Sequence, residues 1–184
     1  MKGLVVTVAG ESGSGKSELA SEIAKALTGI GHPTGILQQD DYFVFPPKTN
    51  HEMRRRNLEQ VGPYEVKLDF LDCNLRSFKL GESPIYKPLV DYDADLIETE
   101  EMDTSSFDVM LAEGTYTTML HFADVRVFID RDYEQTRSDR KRRGRDSLES
   151  FVEDVLRREH EVISQHKTHA NIVVPDGFDR IEIA

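Results

Sequence analysis

Cysteine is nearly absent. Cys73 stands alone among 184 residues, so no intrachain disulfide can form, which fits a reducing compartment. A free cysteine usually packs as a small apolar side chain, and a buried helical position is expected within Leu68-Asp69-Phe70-Leu71-Asp72-Cys73. Long apolar runs are missing too. No stretch approaches the roughly 20 residues of a membrane helix, and Met1-Lys2-Gly3 leads into Leu4-Val5-Val6-Thr7-Val8 without a signal-peptide pattern. The expected location is cytoplasmic, with no membrane partner. An excess of positive charge is also lacking. Lys and Arg number 23 against 34 Asp and Glu, a net charge of −11. That surface repels nucleic acid, so no nucleic-acid partner is expected, while a local basic pocket for one phosphorylated ligand stays open. Low-complexity tracts, internal repeats and linkers are absent, and residues 1–184 read as one globular domain.

What is present alternates between two periods. Residues 4–9 are mostly β-branched and run into a glycine, the pattern of a fully buried strand in a parallel sheet. Leu19, Ile23, Leu27 and Ile30 then recur at helical spacing, and Gly29 and Gly31 stop the helix. A second strand is expected over 34–39, an irregular region from Pro46 and Pro47, and an amphipathic helix over 66–80. Residues 85–101, with Tyr86, Pro88 and Tyr92, suit a hairpin or insertion better than core. Strands return at 107–112, 123–130 and 172–174. Between the last two lie a charged helix and loop over 133–145 and a long helix marked by Phe151, Val155, Leu156, Val162 and Ile163. Strands alternating with helices predict an α/β fold, a mainly parallel sheet flanked by helices.

Gly10-Glu11-Ser12-Gly13-Ser14-Gly15-Lys16-Ser17 completes the pattern G-x-x-x-x-G-K-[ST], with a buried strand before it and an amphipathic helix after it. The glycines permit backbone angles that turn successive N–H groups inward around a phosphate. The helix adds its unpaired N-terminal N–H groups and the positive end of its dipole. Lys16 supplies a mobile charge for the β- and γ-phosphates, and Ser17 offers a hydroxyl to Mg²⁺. Residues 10–17 are therefore candidates for ATP binding within a P-loop NTPase fold. The motif does not fix the reaction. The GTPase base-reading motif N-K-x-D is absent, as is the L-S-G-G-Q of ABC-type ATPases. A nucleotide or metabolite kinase fits better.

Further motifs resemble those of the uridine kinase and phosphoribulokinase family, over most of the chain. They are Val6-Thr7-Val8-Ala9-Gly10, Gln39-Asp40-Asp41-Tyr42-Phe43, Ile85-Tyr86, Ala112-Glu113-Gly114-Thr115, Arg143-Gly144-Arg145-Asp146 and Ala170-Asn171-Ile172-Val173-Val174-Pro175. The resemblance implies a kinase that uses ATP and Mg²⁺ on a small-molecule hydroxyl acceptor, with a small substrate hairpin and a lid, and it allows a homo-oligomer. It implies that Asp40 is the general base and a Mg²⁺ partner, and that Glu113 helps hold the metal with Ser17. Lid arginines, Arg143 and Arg145 above all, would join Lys16 over the phosphates, with Arg137 and Arg140 nearby. Tyr42, Tyr64, Tyr86 and Arg140 are candidates for binding the acceptor.

The chain departs from true uridine kinases on the acceptor side. Gly62 and Tyr64 stand where that family has the histidine and first aspartate of H-P-D-A-F-D, and Asp91 stands where its hairpin has a histidine. Such residues recognise the sugar and base, so their loss bears on the acceptor rather than on ATP. A nucleoside leads the candidates. Sugar-phosphate, pantothenate or nicotinamide-riboside type acceptors are alternatives, as is a regulatory nucleotide-binding module without turnover. Arg54-Arg55-Arg56 reads more readily as a solvated run than as a grip on an anion. His160, His166 and His169 read as surface histidines rather than a metal site.

Overall fold

The computed structural model describes residues 2–143, 150–178 and 181–183. The chain runs through β1 (Leu4–Gly10), α1 (Lys16–Gly29), β2 (Thr34–Gln38), α2 (Pro47–Arg56) and α3 (Leu68–Lys79). It continues through β3 (Ile85–Asp91), β4 (Leu96–Met102), β5 (Val109–Glu113), β6 (Val125–Asp130), α4 (Arg137–Arg143), α5 (Ser150–Ile163), β7 (Ile172–Pro175) and β8 (Glu182–Ile183). One sheet has the order β2-β5-β1-β6-β7-β8, and β3 and β4 form a separate hairpin. All pairs in the larger sheet are parallel except β7 with β8. The fold class is the expected one.

β1 shows why this sheet forms. It is hydrogen-bonded on both sides, to β5 and to β6, so both of its faces must be apolar. Val6 and Val8 pack with Ala20 and Ala24 of α1 and with Val109 and Leu111. Val5 faces the other way, with Leu37, Met110 and Leu71, Leu75 and Phe78 of α3. Ala9 joins Phe128, Ile163 and Val173 under α5. The register brings Val8 level with Glu113, Gln38 level with Glu113, and Gly10 level with Ile129. The carboxyl ends of β1, β2, β5 and β6 therefore share one edge. In open α/β sheets that edge holds the ligand, at the point where connections diverge to either side.

Three local expectations change. The stretch after Pro46 is helical, not irregular, because Pro47 occupies the first helical position, where its missing N–H is not needed. Cys73 is exposed. Leu71, Leu75 and Phe78 carry the apolar face of α3, and Cys73 falls on the opposite side of the helix. A short strand, β8, closes the sheet edge where the sequence pattern gave no strand.

Candidate active site

The phosphate loop leaves β1 at Gly10 and enters α1 at Lys16. Gly13 has φ of 80°, and a Cβ there would collide with the Arg140 side chain at 2.5 Å. Glycine thus lets an arginine of α4 lie directly on the loop. Arg140 is buried, and its Nη2 donates to the Tyr133 carbonyl at 3.0 Å and to Glu153 Oε1 at 3.5 Å, while its Nε and Nη1 have no partner. The Ser14 hydroxyl is likewise buried and unpartnered. Unmet buried donors cost about 1–3 kcal/mol each, more when charged. The loop therefore carries donors suited to an anion such as a nucleotide phosphate. Lys16 Nζ rests on the Glu11 carbonyl at 2.9 Å. Thr136 Oγ1 donates to the Ser12 carbonyl at 3.2 Å and fastens the approach to α4 onto the loop.

Carboxylates stand in and beside the loop, among them Glu159, which accepts from Ser12 Oγ at 2.8 Å. Glu113, at the end of β5, accepts from Ser17 Oγ at 3.0 Å. Burial raises its pKa above the ordinary value; Lys16 opposes that rise and Asp40 adds to it. Asp40 sits in the turn after β2. Crowding by protein raises its pKa as well, with Lys16 and Arg54 opposing and Asp41 adding. Solvent still reaches Asp40 from the cavity it lines, which moderates that desolvation. Ser17, Glu113 and Asp40 thus offer hard oxygen donors beside the phosphate loop. Among the described residues no group of three or more His, Cys, Asp or Glu could hold a metal by itself. This suits Mg²⁺, which takes one or two protein carboxylates and fills its shell with phosphate and water. The carboxylate within the loop, Glu11, is raised by burial and is met by His160 Nδ1 at 2.6 Å.

Glu113 can hold its place because the next residue is glycine. Gly114 has φ of 154°, and a Cβ there would overlap Gln39. Gln39 Oε1 in turn accepts from Tyr116 N at 2.7 Å. The turn after β2 and the turn after β5 are locked together, and Asp40 and Glu113 are held as neighbours.

Beside Asp40 opens a cavity of about 420 Å³, lined by Phe43, Phe45, Asn50, His51, Val90 and Tyr92 with Ser12, Arg54, Thr115 and Glu159. Its rim is aromatic and its floor is charged. Arg54 donates to Glu65 through Nε at 2.6 Å and Nη2 at 2.9 Å, and Nη2 also lies 3.5 Å from Glu159 Oε1. Arg54 is thus committed to two carboxylates. His51 Nε2 accepts from Arg55 Nε at 3.0 Å, which places its proton on Nδ1. The hairpin wall is tied to the turn by Asp41, whose Oδ1 accepts from Val90 N and whose Oδ2 accepts from Lys87 Nζ, each at 3.1 Å.

The structure therefore gathers residues 10–17, Asp40 and Glu113 along one edge. It does not bring the candidate tyrosines to the cavity. Tyr42 is fully buried, with its hydroxyl accepting from Asn74 Nδ2 at 2.8 Å, because its ring completes the core under α3. Tyr64 is 94% exposed and Tyr86 is 55% exposed, and neither lines the cavity. Arg140 lies against the phosphate loop and does not line this cavity. Arg145 lies outside the described residues, as does the side chain of Arg143. Residue-by-residue reading missed Glu159, Asn50, Phe45 and the pairing of His160 with Glu11, and it undervalued Arg54. No sequence pattern marked that wall, because α2, which carries Asn50 and Arg54 on one side, is too polar to show a helical period.

A family model described as Phosphoribulokinase / Uridine kinase family matches residues 5–180. A uridine kinase of Staphylococcus epidermidis is 30% identical over 186 residues, covering 94% of this chain and 87% of its own. A bifunctional alpha-galactosidase/sucrose kinase of Mediterraneibacter gnavus is 29% identical over 185 residues, which is 93% of this chain and 20% of that protein. Among solved structures, phosphoribulokinase from Rhodobacter spheroides aligns with a TM-score of 0.68 at 14% identity, over 94% of this chain and 69% of that one. That last likeness is one of fold.

Proposed function

Because the chain belongs to the phosphoribulokinase/uridine kinase family, we propose that it transfers the γ-phosphate of ATP to a hydroxyl of a small molecule without negative charge. A nucleoside is the first candidate and a neutral sugar the second. Kinase chemistry on an alcohol is what the named relatives share. The observation that carries the acceptor class is the state of Arg54. It is the one Lys or Arg among the described cavity-lining residues, and both Glu65 and Glu159 already claim it. Asp40 and Glu159 face the same space. An anionic acceptor would enter against two carboxylates, with no uncommitted Lys or Arg among the described lining residues to meet it. A neutral polyol finds hydrogen-bonding groups on the floor, and a flat base finds Phe45, Tyr92 and His51 at the rim. The same excess of carboxylate tolerates a cationic nucleoside such as nicotinamide riboside.

In this reading Asp40 accepts the proton of the acceptor hydroxyl as its oxygen bonds to the γ-phosphorus, and the bond from that phosphorus to the β–γ bridging oxygen breaks to release ADP. The loop N–H groups, Lys16 and Arg140 stabilise the charge that builds on the phosphoryl oxygens. Ser17 and Glu113, with Asp40, would hold Mg²⁺, which supplies charge neutralisation when bound. The test is ADP release from Mg-ATP with uridine, cytidine, nicotinamide riboside and sucrose, set against ribulose 5-phosphate, pantothenate and glycerate. Turnover confined to the first group is expected. Turnover confined to the second group would overturn the acceptor class, and none with either would favour a regulatory module.

A further inference from the structure

The phosphate loop and the cavity share one side chain. Glu159, on α5, is 5% exposed and lines the cavity. Its Oε2 accepts from Ser12 Oγ of the phosphate loop at 2.8 Å, and its Oε1 lies 3.5 Å from Arg54 Nη2. Arg54 passes the connection to Glu65, which also accepts from Gly62 N at 3.1 Å and from Asn50 Nδ2 at 3.3 Å. Burial raises the pKa of Glu159, while Arg54 and the Ser12 hydroxyl pull it back. A carboxylate so buried depends on both the Ser12 hydroxyl that donates to it and the Arg54 charge beside it, since removing either leaves it under-compensated. Whatever engages one of these groups is therefore felt at the other.

We propose that Glu159 is a positioning residue that couples the cavity floor to the phosphate loop, so that nucleotide affinity depends on the state of Arg54. Glu159 acts through Ser12 and not on the reacting atoms. The direction of its use rests on the reading of the cavity as the acceptor site. An acceptor hydroxyl that bonds to Arg54 or Glu159 redistributes the bonds reaching Ser12, and linkage makes the effect reciprocal: the acceptor changes ATP affinity by the factor by which ATP changes acceptor affinity. Two substrates on opposite sides of one carboxylate would thus sense each other without a moving domain.

A mutant cycle read on nucleotide affinity alone tests this. Mg-AMPPNP binding is measured by calorimetry for the parent protein, Ser12→Ala, Arg54→Lys and the double variant, then for the same set carrying Glu159→Gln. Unfolding midpoints are recorded on the same samples. With Glu159 present, the two substitutions should be non-additive in Kd by about fivefold, in the range of coupled neighbours. With Glu159→Gln, the double effect should equal the product of the single effects within about twofold. Additivity in both backgrounds, or non-additivity that survives Glu159→Gln, would overturn the proposal. A merely structural Glu159 would lower the midpoint and leave the Kd effects additive. Arg54→Lys keeps the buried carboxylates opposite a cation. Should it fail to fold, Ser12→Ala against Glu159→Gln forms a second cycle, in which Ser12→Ala should add nothing once Glu159 is changed. The cycle uses no acceptor, so failure of the acceptor reading appears in the turnover panel and not here.

Discussion

The phosphate loop works through backbone and glycine. Its donors are N–H groups, one lysine, the Ser14 hydroxyl and an arginine laid across Gly13, and that hydroxyl and two nitrogens of the arginine lack protein partners. The cavity beside it works through side chains from α2, the hairpin, the turns after β2 and β5, and α5, and the one arginine among its described lining residues is paired with two carboxylates. One region keeps unpaired donors in reserve for a polyanion. The other has neutralised its own. On the proposed reading, that contrast would let two substrates of different charge be told apart within one cleft: phosphate would be drawn to the loop, and a molecule with a fixed negative charge would gain nothing in the cavity.

Each side of the contrast can be broken separately. The largest effect is expected from Asp40→Asn, which should lower kcat by on the order of 10³ as a lost general base while Mg-AMPPNP affinity stays within about threefold. ADP release and calorimetry on the same sample check this, and full turnover in that variant would remove Asp40 as the base. Next is Arg54→Met. It strands Glu65 and Glu159 as buried carboxylates, so it should cost about 3–5 kcal/mol in a urea titration and raise the acceptor KM by roughly tenfold or more. If stability and KM both stay unchanged, the claimed arginine is not the feature that defines the cavity.

Two smaller effects sharpen the picture. Asp40 and Glu113 have folded pKa values raised above 3.8 and 4.5. In the free protein they hold protons that the unfolded chain has released, so stability falls as pH rises from the ordinary carboxylate range through the raised values. The base must be ionised to act, so kcat/KM should rise with pH over that same window. The acid limb of a pH–rate profile should lie above 3.8. A limb at or below that value would contradict the desolvation of Asp40. Smallest of all is Tyr64→Ala, which should change the acceptor KM by less than about twofold, as for a surface side chain. Tyr92→Ala should raise it several-fold, about 1 kcal/mol of lost rim contact.

How much of this was legible follows from how each part is built. The phosphate loop is contiguous, so residues 10–17 carry their own recognition. Asp40 and Glu113 end buried strands, and strand ends can be located from the apolar runs before them. Glu159 could not be found that way: its partner Ser12 is 147 residues distant in the chain. Arg54 lies within a run of three arginines, and a run gives no sign of which member turns inward. Arg55 instead stacks on Phe151. Tyr42 follows the two aspartates and shares their motif, but its ring is part of the core and only Asp40 reaches the cavity. The mainly parallel sheet was implied by the alternation of apolar periods and the hairpin by the polar composition of 85–101, but the strand order was not, and the helical run after Pro46 was masked by its polar composition.

The central claim, that the cavity takes an acceptor without negative charge, is tested most directly by competition in one tube. Equal concentrations of uridine, sucrose, ribulose 5-phosphate and pantothenate are offered with limiting Mg-ATP, and the phosphorylated products are quantified by mass spectrometry. The product ratio reports the ratio of kcat/KM values, independent of each acceptor's own saturation. Phosphate carried almost wholly by uridine or sucrose is the predicted result. Phosphate carried mainly by ribulose 5-phosphate or pantothenate would contradict the account, because the cavity would then have to meet an anion with an arginine that Glu65 and Glu159 already hold.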